Sequence, residues 1–376
     1  MSRKIVACIA AAAASISAFA EMESLEITRG KATAGDVRAQ YEMGRRHLAG
    51  DGAERNLEEA LKWFTMAAEA GDAEAQFNLG LCFANIPGLV DDPSESLKWY
   101  RKAAEKGLSK AQLMLAVTLE SGADADKNAQ EAAKWYLKAA EQGMVDAQRR
   151  FAQMSEGGYG VKQDFAEAAK WYRKAAEQGD AESQFAIGSY LETGTGVKAD
   201  LAEAVKWYRR AADRDDPQAQ NALGACYLNG TGVKQDMTEA VKWFGEAAEQ
   251  ELAQAQFNLG VCYLGGKGVE ANPGKALEYF RLAADAGDAV AQYNLASCMF
   301  AGVGMPVNKK EGVVRFRQAA EQGHELAMFN LGVCAMNGEG MEKNLEEAKS
   351  WFRKAADAGC EQAVPVLRKL EAGTAK

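Results

Sequence analysis

Apolar side chains recur along this chain at helical spacing, and the whole pattern recurs every 36 residues. Between 179 and 214 the reading is clear. Ile187 and Leu191 lie four apart with Gly188 between them, which predicts a helix over 181–192. Thr193-Gly194-Thr195-Gly196 breaks it, and Asp200 is placed to cap a second helix over 201–213. There Ala204, Tyr208 and Ala211 follow the i, i+4, i+7 spacing of one buried stripe. Each repeat is therefore expected to be an antiparallel helical hairpin.

With position 1 at Gly35, later copies begin at Gly71, Gly107, Gly143, Gly179, Asp215, Glu251, Gly287 and Gly323. The stretch Lys170 to Glu177 returns almost unchanged from Lys62, Lys98, Lys134, Lys206 and Lys242, and all seven tryptophans stand at position 29. A period held over nine copies predicts a stack of one supersecondary unit rather than the two or three domains that 376 residues would suggest. The expected organisation is a signal peptide over 1–20, a leader over 21–34, nine repeats over 35–358 and a C-terminal capping helix over 359–376. Arg368 and Lys369 give that last helix the polar face a cap needs.

Glycine inside a helix costs about 0.5–1 kcal/mol relative to alanine, yet position 10 is glycine at 44, 80, 188, 224, 260 and 332. Close approach of the paired alanines of the second helix, such as Ala175 and Ala176, is the expected compensation, with the aromatics of positions 29 and 30 filling the space between hairpins. The recurrent Gly-x-Gly pairs follow helices and lack Gly-Lys-Ser/Thr, so they read as helix-ending turns, not phosphate loops.

These residues carry a resemblance. Ala75 to Gly80 and Ala255 to Gly260 (Ala-Gln-Phe-Asn-Leu-Gly), Gly230 to Val233 (Gly-x-Gly-Val) and Ala240 to Phe244 (Ala-Val-Lys-Trp-Phe) resemble the Sel-one-like repeat family, a relative of the tetratricopeptide repeat. The resemblance covers 35–376. It implies an all-α, right-handed α/α superhelical solenoid of helix-turn-helix repeats that works as a protein–protein adaptor, with the first helices lining a concave groove. Positions 4, 7, 11 and 14 would then face that groove.

Position 14 changes along the array. It is Glu120, Glu156 and Glu192 in repeats three to five, then Leu228, Leu264, Phe300 and Met336; position 4 ends in Val290 and Leu326. These nine residues are the candidate partner-binding set: a groove with an acidic middle and an apolar C-terminal half, suited to an amphipathic or extended segment. Packing of position 14 under the following turn is the competing reading.

Irregular repeats mark departures. Repeat two carries an apolar loop, Ile86 to Val90, and repeat three has Asp124 in place of the second turn glycine. Asp124 to Asn128 starts like a calcium loop, but Trp135 stands where the bidentate Glu belongs. Repeat eight, with Gly312 for alanine and Arg315 for tryptophan, is expected to be the weakest link.

Charge and candidate chemistry narrow the function. A net charge of -9 argues against nucleic acid. Arg3 and Lys4, the apolar run 5–16 and Ala18-Phe19-Ala20 predict export to the periplasm or beyond, and no later run reaches membrane-spanning length. Five cysteines share position 12, too far apart across repeats to pair, and Cys360 is the one thiol expected to be open to reaction. Two histidines in repeats one and nine cannot form a short-spaced metal pair, so no cofactor or metal is expected. Cysteine-rich relatives in the resembled family are described as binding or hydrolysing β-lactams. This chain lacks their paired cysteines and has no serine with a lysine three residues on. The expected function is an exported scaffold for a protein or peptide partner, not an enzyme; a β-lactam-directed enzyme and a self-associating array are the alternatives.

Overall fold

The computed structural model describes residues 24–85, 93–122 and 124–373. The signal-peptide segment, the start of the leader and the apolar loop 86–90 lie outside the described residues. Within them the chain is all helix and turn. A first helix, α1, covers 24–33. Nine hairpins follow. They are α2/α3 (Val37–Ala49, Leu57–Glu69), α4/α5 (Ala73–Asn85, Pro93–Glu105), α6/α7 (Ser109–Ser121, Ala125–Glu141) and α8/α9 (Val145–Gly157, Phe165–Glu177). Next are α10/α11 (Ala181–Thr193, Leu201–Ala212), α12/α13 (Pro217–Asn229, Met237–Glu249) and α14/α15 (Ala253–Gly265, Pro273–Asp285). Last come α16/α17 (Ala289–Ala301, Lys309–Glu321) and α18/α19 (Glu325–Asn337, Leu345–Asp357), closed by α20 (Ala363–Glu371). The chain forms two compact units, through Gln178 and from Gly179, each a solenoid of consecutively packed hairpins.

The capping is as read. Asp200 accepts from the Glu203 amide at 2.9 Å, and Asp164, Asp236 and Asn272 do the same for their helices. Repeat three differs: without the Gly-x-Gly turn, α7 starts at Ala125 and runs 17 residues.

The leader takes more structure than its sequence suggested. Helix α1 buries Ala32, whose carbonyl accepts from Gln40 Nε2 at 3.1 Å. That is the contact Gln76 makes to Ala68 O and Gln112 to Ala104 O in later repeats. The leader therefore supplies the last turns of a second helix to the first hairpin. The match of Ala32-Thr33-Ala34-Gly35-Asp36 to Ala68-Glu69-Ala70-Gly71-Asp72 is the signal for it.

The helical glycines need one correction. What lies over Gly188 is the ring of Tyr208, not paired alanines: a Cβ there would sit 2.7 Å from the ring. Gly44, Gly224, Gly260 and Gly332 meet Phe64, Phe244, Phe280 and Phe352 in the same way. The position-30 aromatic thus fills its own hairpin. Repeat eight inverts the arrangement. Ala296 stands at position 10, Gly312 on the second helix makes the room, and the Phe300 ring occupies it. Arg315, in the tryptophan place, reaches Asp285 of the preceding repeat at 2.7 Å. Both departures in repeat eight therefore have a structural partner.

A glutamine ladder joins the repeats. Gln142, Gln178, Gln250 and Gln322 each donate to the position-6 glutamine of their own repeat at 2.7–2.9 Å. That glutamine in turn donates to a carbonyl of the second helix before it, as Gln148 does to Ala140 O at 3.0 Å. The second turn glycine also serves stacking. A Cβ on Gly232 would meet the Leu201 carbonyl oxygen of the previous repeat at 2.1 Å.

Candidate functional site

On each first helix, positions 5, 6, 9 and 10 are buried, while positions 4, 7, 8, 11 and 14 remain half-buried or exposed, Phe77 in repeat two being the buried exception. The two units treat this outward face differently. In the first unit it carries charges that pair with one another: Glu42 with Arg45 and Arg46, Lys110 with Glu74 at 2.5 Å, and Arg149 with Asp146 at 3.1 Å. In the second unit α12, α14 and α16 hold no charged residue, and α18 holds only Glu325 at its first position. These helices are uncharged on both sides, and the outward side mixes apolar residues such as Val261, Leu264, Val290 and Val333 with amides such as Gln218, Gln254, Asn258 and Asn294. One side packs in the core and the other stays at the surface, where a helix of a soluble protein is ordinarily polar.

The candidate residues fall into three groups. Glu120, Glu156 and Glu192 are engaged within the repeats. Their carboxylates accept from the hydroxyls of Tyr136, Tyr172 and Tyr208 at 2.7, 2.7 and 2.6 Å, each 16 residues on. Glu120 also accepts from Arg150 Nε at 2.8 Å. Burial raises the pKa of Glu120, but the hydrogen bonds from Arg150 and Tyr136 outweigh it and hold the group below the usual carboxylate range. Position 30 changes together with position 14. Tyrosine meets glutamate in repeats three to five, and phenylalanine meets Leu228, Leu264, Phe300 and Met336 in repeats six to nine.

Phe300, Leu326 and Met336 form the second group, partly packed against the last core cluster. Phe300 lies 5.3 Å from the Phe316 ring. The third group points outward: Val290 and Leu264 are 41% and 38% exposed, and Leu228 is half-buried.

Between α16 and α18 this face opens into a cavity of about 350 Å³, walled by Ser297, Phe300, Ala301, Phe316, Asn330, Val333, Cys334 and Glu339. Such a volume is at the lower end of ligand pockets and suits one large apolar side chain. Burial pushes the Cys334 thiol up to about 11, so it is a neutral, apolar wall. Asn330 and Ser297 put polar atoms on the rim. Ser297 Oγ is already bonded to the Tyr293 carbonyl at 2.9 Å.

Other expected chemistry is placed elsewhere. Cys360 is 4% exposed in the last core cluster, which corrects the expectation of an open thiol. Its backbone lies outside the helices, but Ala355 O holds the turn at 2.8 Å and folds the side chain inward. Among the described residues no group of His, Cys, Asp or Glu is arranged to hold a metal, and no helix is long and apolar enough to cross a membrane. His47 is buried in repeat one, and His324 caps α18, accepting from the Ala327 amide at 3.3 Å and stacking on Tyr293 at 4.6 Å.

Comparison with known families matches the Sel1 repeat at nine segments: 37–72, 73–108, 109–144, 145–180, 181–216, 217–252, 253–288, 289–324 and 326–360. No curated protein matches the chain. Two solved structures are similar over nearly its whole length. One is c5321, a protective antigen of uropathogenic Escherichia coli with an SLR fold, 34% identical over 91% of this chain and 81% of its own, with a TM-score of 0.68. The other is a Sel1 repeat protein of Oxalobacter formigenes, 26% identical over 94% and 93%, with a TM-score of 0.65.

Proposed function

The chain belongs to the Sel1 repeat family, and from that premise we propose that it is an exported scaffold whose first-helix face in the second unit holds a protein partner. Sel1 repeats generally serve protein–protein interaction. The observation that carries the finer reading is the uncharged outward face of α12, α14 and α16, with Val290 and Leu264 exposed in it. Apolar side chains left exposed on an uncharged face support an interaction site there. The cavity beside Phe300 offers a place for an anchoring side chain at the centre of such an interface.

Export rests on the sequence: a basic start, an apolar run and Ala18-Phe19-Ala20 before Glu21. The similarity to a protein described as a protective antigen accords with a place outside the cytoplasm. Binding rather than catalysis is proposed, and the Cys334 thiol in the cavity wall is held neutral by burial, which accords with that reading.

Photo-crosslinking in the native cell tests the assignment. A photoreactive residue at 264 or 290 is expected to trap one discrete partner, and the same residue at Lys242, on the second-helix side, is expected to trap none. Equal trapping at all three positions would remove the face from consideration. Amino-terminal sequencing of the protein recovered outside the cytoplasm is expected to begin at Glu21.

A further inference from the structure

The uncharged face is bordered by a strongly charged edge. The turns at 212–217, 248–253, 284–289 and 320–325, which lead into α12, α14, α16 and α18, hold nine Asp and Glu residues against one cation, Arg214. Glu249, Glu251, Glu321 and Glu325 are exposed there. These turns sit at the N-terminal ends of the same first helices that present the apolar face. Two properties therefore lie side by side on one surface. Four helices offer apolar and amide side chains with almost no charge, and the border at their N-terminal ends carries net negative charge.

We infer that the partner segment held by this face is basic and amphipathic: its apolar side rests on α12 to α18, one large apolar residue enters the cavity beside Phe300, and its Lys or Arg side chains run along the acidic turns. This rests on the partner-binding reading of the same face and adds the chemistry of the occupant. The physical case is complementarity. An acidic segment would meet like charge along the border, and an uncharged one would gain nothing from it. The acidic turns adjoin Val290 at position 4, whereas Leu264 and the Phe300 cavity stand ten positions further along their helices, about 15 Å at helical rise, so a segment lying across the helices meets the border through long Lys or Arg side chains. Within α12, α14 and α16 the face offers no counter-charge, and Glu339 at the cavity is already paired with Lys309 at 2.6 Å, so the partner's cations belong at the acidic edge.

Three fluorescein-labelled peptides of about 18 residues, sharing one Leu/Phe face, make the test. Their polar faces carry Lys and Arg, Asp and Glu, or Ser and Gln, and anisotropy measures binding to the full chain. The basic peptide is expected to bind roughly tenfold or more tighter than the other two. Neutralising the border with Glu249→Gln, Glu251→Gln, Glu321→Gln and Glu325→Gln is expected to weaken it and to flatten its salt dependence. Adding negative charge to the face with Leu264→Glu and Val290→Glu is expected to weaken it as well, although general attraction to an acidic protein would grow. Circular dichroism verifies that each variant folds.

Each alternative outcome is decisive. Tighter binding of the basic peptide to the Leu264→Glu, Val290→Glu variant overturns the inference, since only overall charge would then be at work. Equal binding of the basic and neutral peptides, lost in that variant, overturns the basic partner and keeps the face. Failure of all three peptides to bind overturns the inference, while the crosslinking result at 264 and 290 still decides the proposed function.

Discussion

Tyr208 donates its hydroxyl hydrogen to the carboxylate of Glu192 at 2.6 Å, across the two helices of one hairpin. Burial, and then this carboxylate, push the phenol well above its ordinary pKa. Tyr208→Phe leaves the carboxylate without its partner and is expected to destabilise by about 1–2 kcal/mol. Pairing it with Glu192→Leu recreates the Phe and Leu combination of repeats six and seven and is expected to recover most of the loss. A double-mutant cycle in urea reads the coupling, and simple additivity of the two changes would refute the lock.

The glutamine ladder is broken in repeat seven, where position 36 is Ala286 and Gln256 Oε1 is buried with no hydrogen-bond partner among the described residues. Ala286→Gln places a carboxamide where Gln250 and Gln322 stand in neighbouring repeats. It is expected to stabilise by about 1 kcal/mol. The same change paired with Gln256→Ala should have no effect, and a thermal melt that rose equally with both would point to a cause other than the ladder.

His324 makes one helix start pH-dependent. As an N-cap its Nδ1 accepts from the Ala327 amide, which only the neutral ring can do. Burial lowers its pKa, against Glu325 on its own helix and Asp288 at the start of α16, which raise it. The folded pKa lies below the unfolded value of about 6.5. The unfolded chain therefore binds the proton first, and stability falls as pH drops below about 6.5 until the folded group also titrates. His324→Asp matches the caps Asp180, Asp216 and Asp288. The protection factors of α18 amides, corrected for the intrinsic exchange rate at each pH, are expected to fall between pH 7 and 5 in the wild type, and this fall should be absent from His324→Asp.

Position 1 adopts a left-handed backbone in every repeat, and Glu251 holds it at φ 62 without being glycine. Glu251→Gly relieves that conformation. Net of the extra freedom glycine gives the unfolded chain, a gain of about 0.5–1 kcal/mol is expected. An unchanged or lowered denaturation midpoint would contradict it.

Gly232 shows the opposite case. Its φ is 69, and an added Cβ would collide with the Leu201 carbonyl. Gly232→Ala is expected to cost about 2 kcal/mol or more, because the backbone of one repeat must move off the next. The loss should appear as faster hydrogen exchange in both α11 and α13. A change confined to α13 would argue that the glycine serves only its own turn.

The hairpin repeat, its boundaries and its caps were legible in the residues because they rest on local chemistry: a period of 3.6, a glycine that ends a helix, an Asp or Asn that begins one. Position 14 is legible as a variable column. Its pairing with position 30 stands in the sequence too: Tyr136, Tyr172 and Tyr208 accompany Glu120, Glu156 and Glu192. The inward turn of Cys360 leaves no such trace, and the paired change of Ala296 and Gly312 shows in the sequence without saying that the Phe300 ring fills the gap, because each depends on which side chain fills one particular gap.

By itself, then, the sequence determined the repeat, the helical hairpin and the membership of a known repeat class, since each follows from short-range periodicity repeated nine times. Only the tertiary structure decided which variable residues are spent inside the hairpins and which remain at the surface. Glu192 and Leu264 occupy one position of the repeat, yet the first is bound to Tyr208 and the second has no such hydroxyl opposite it, because Phe280 stands there. That difference depends on side chains 16 residues away across a helix pair, and packing rather than periodicity sets it.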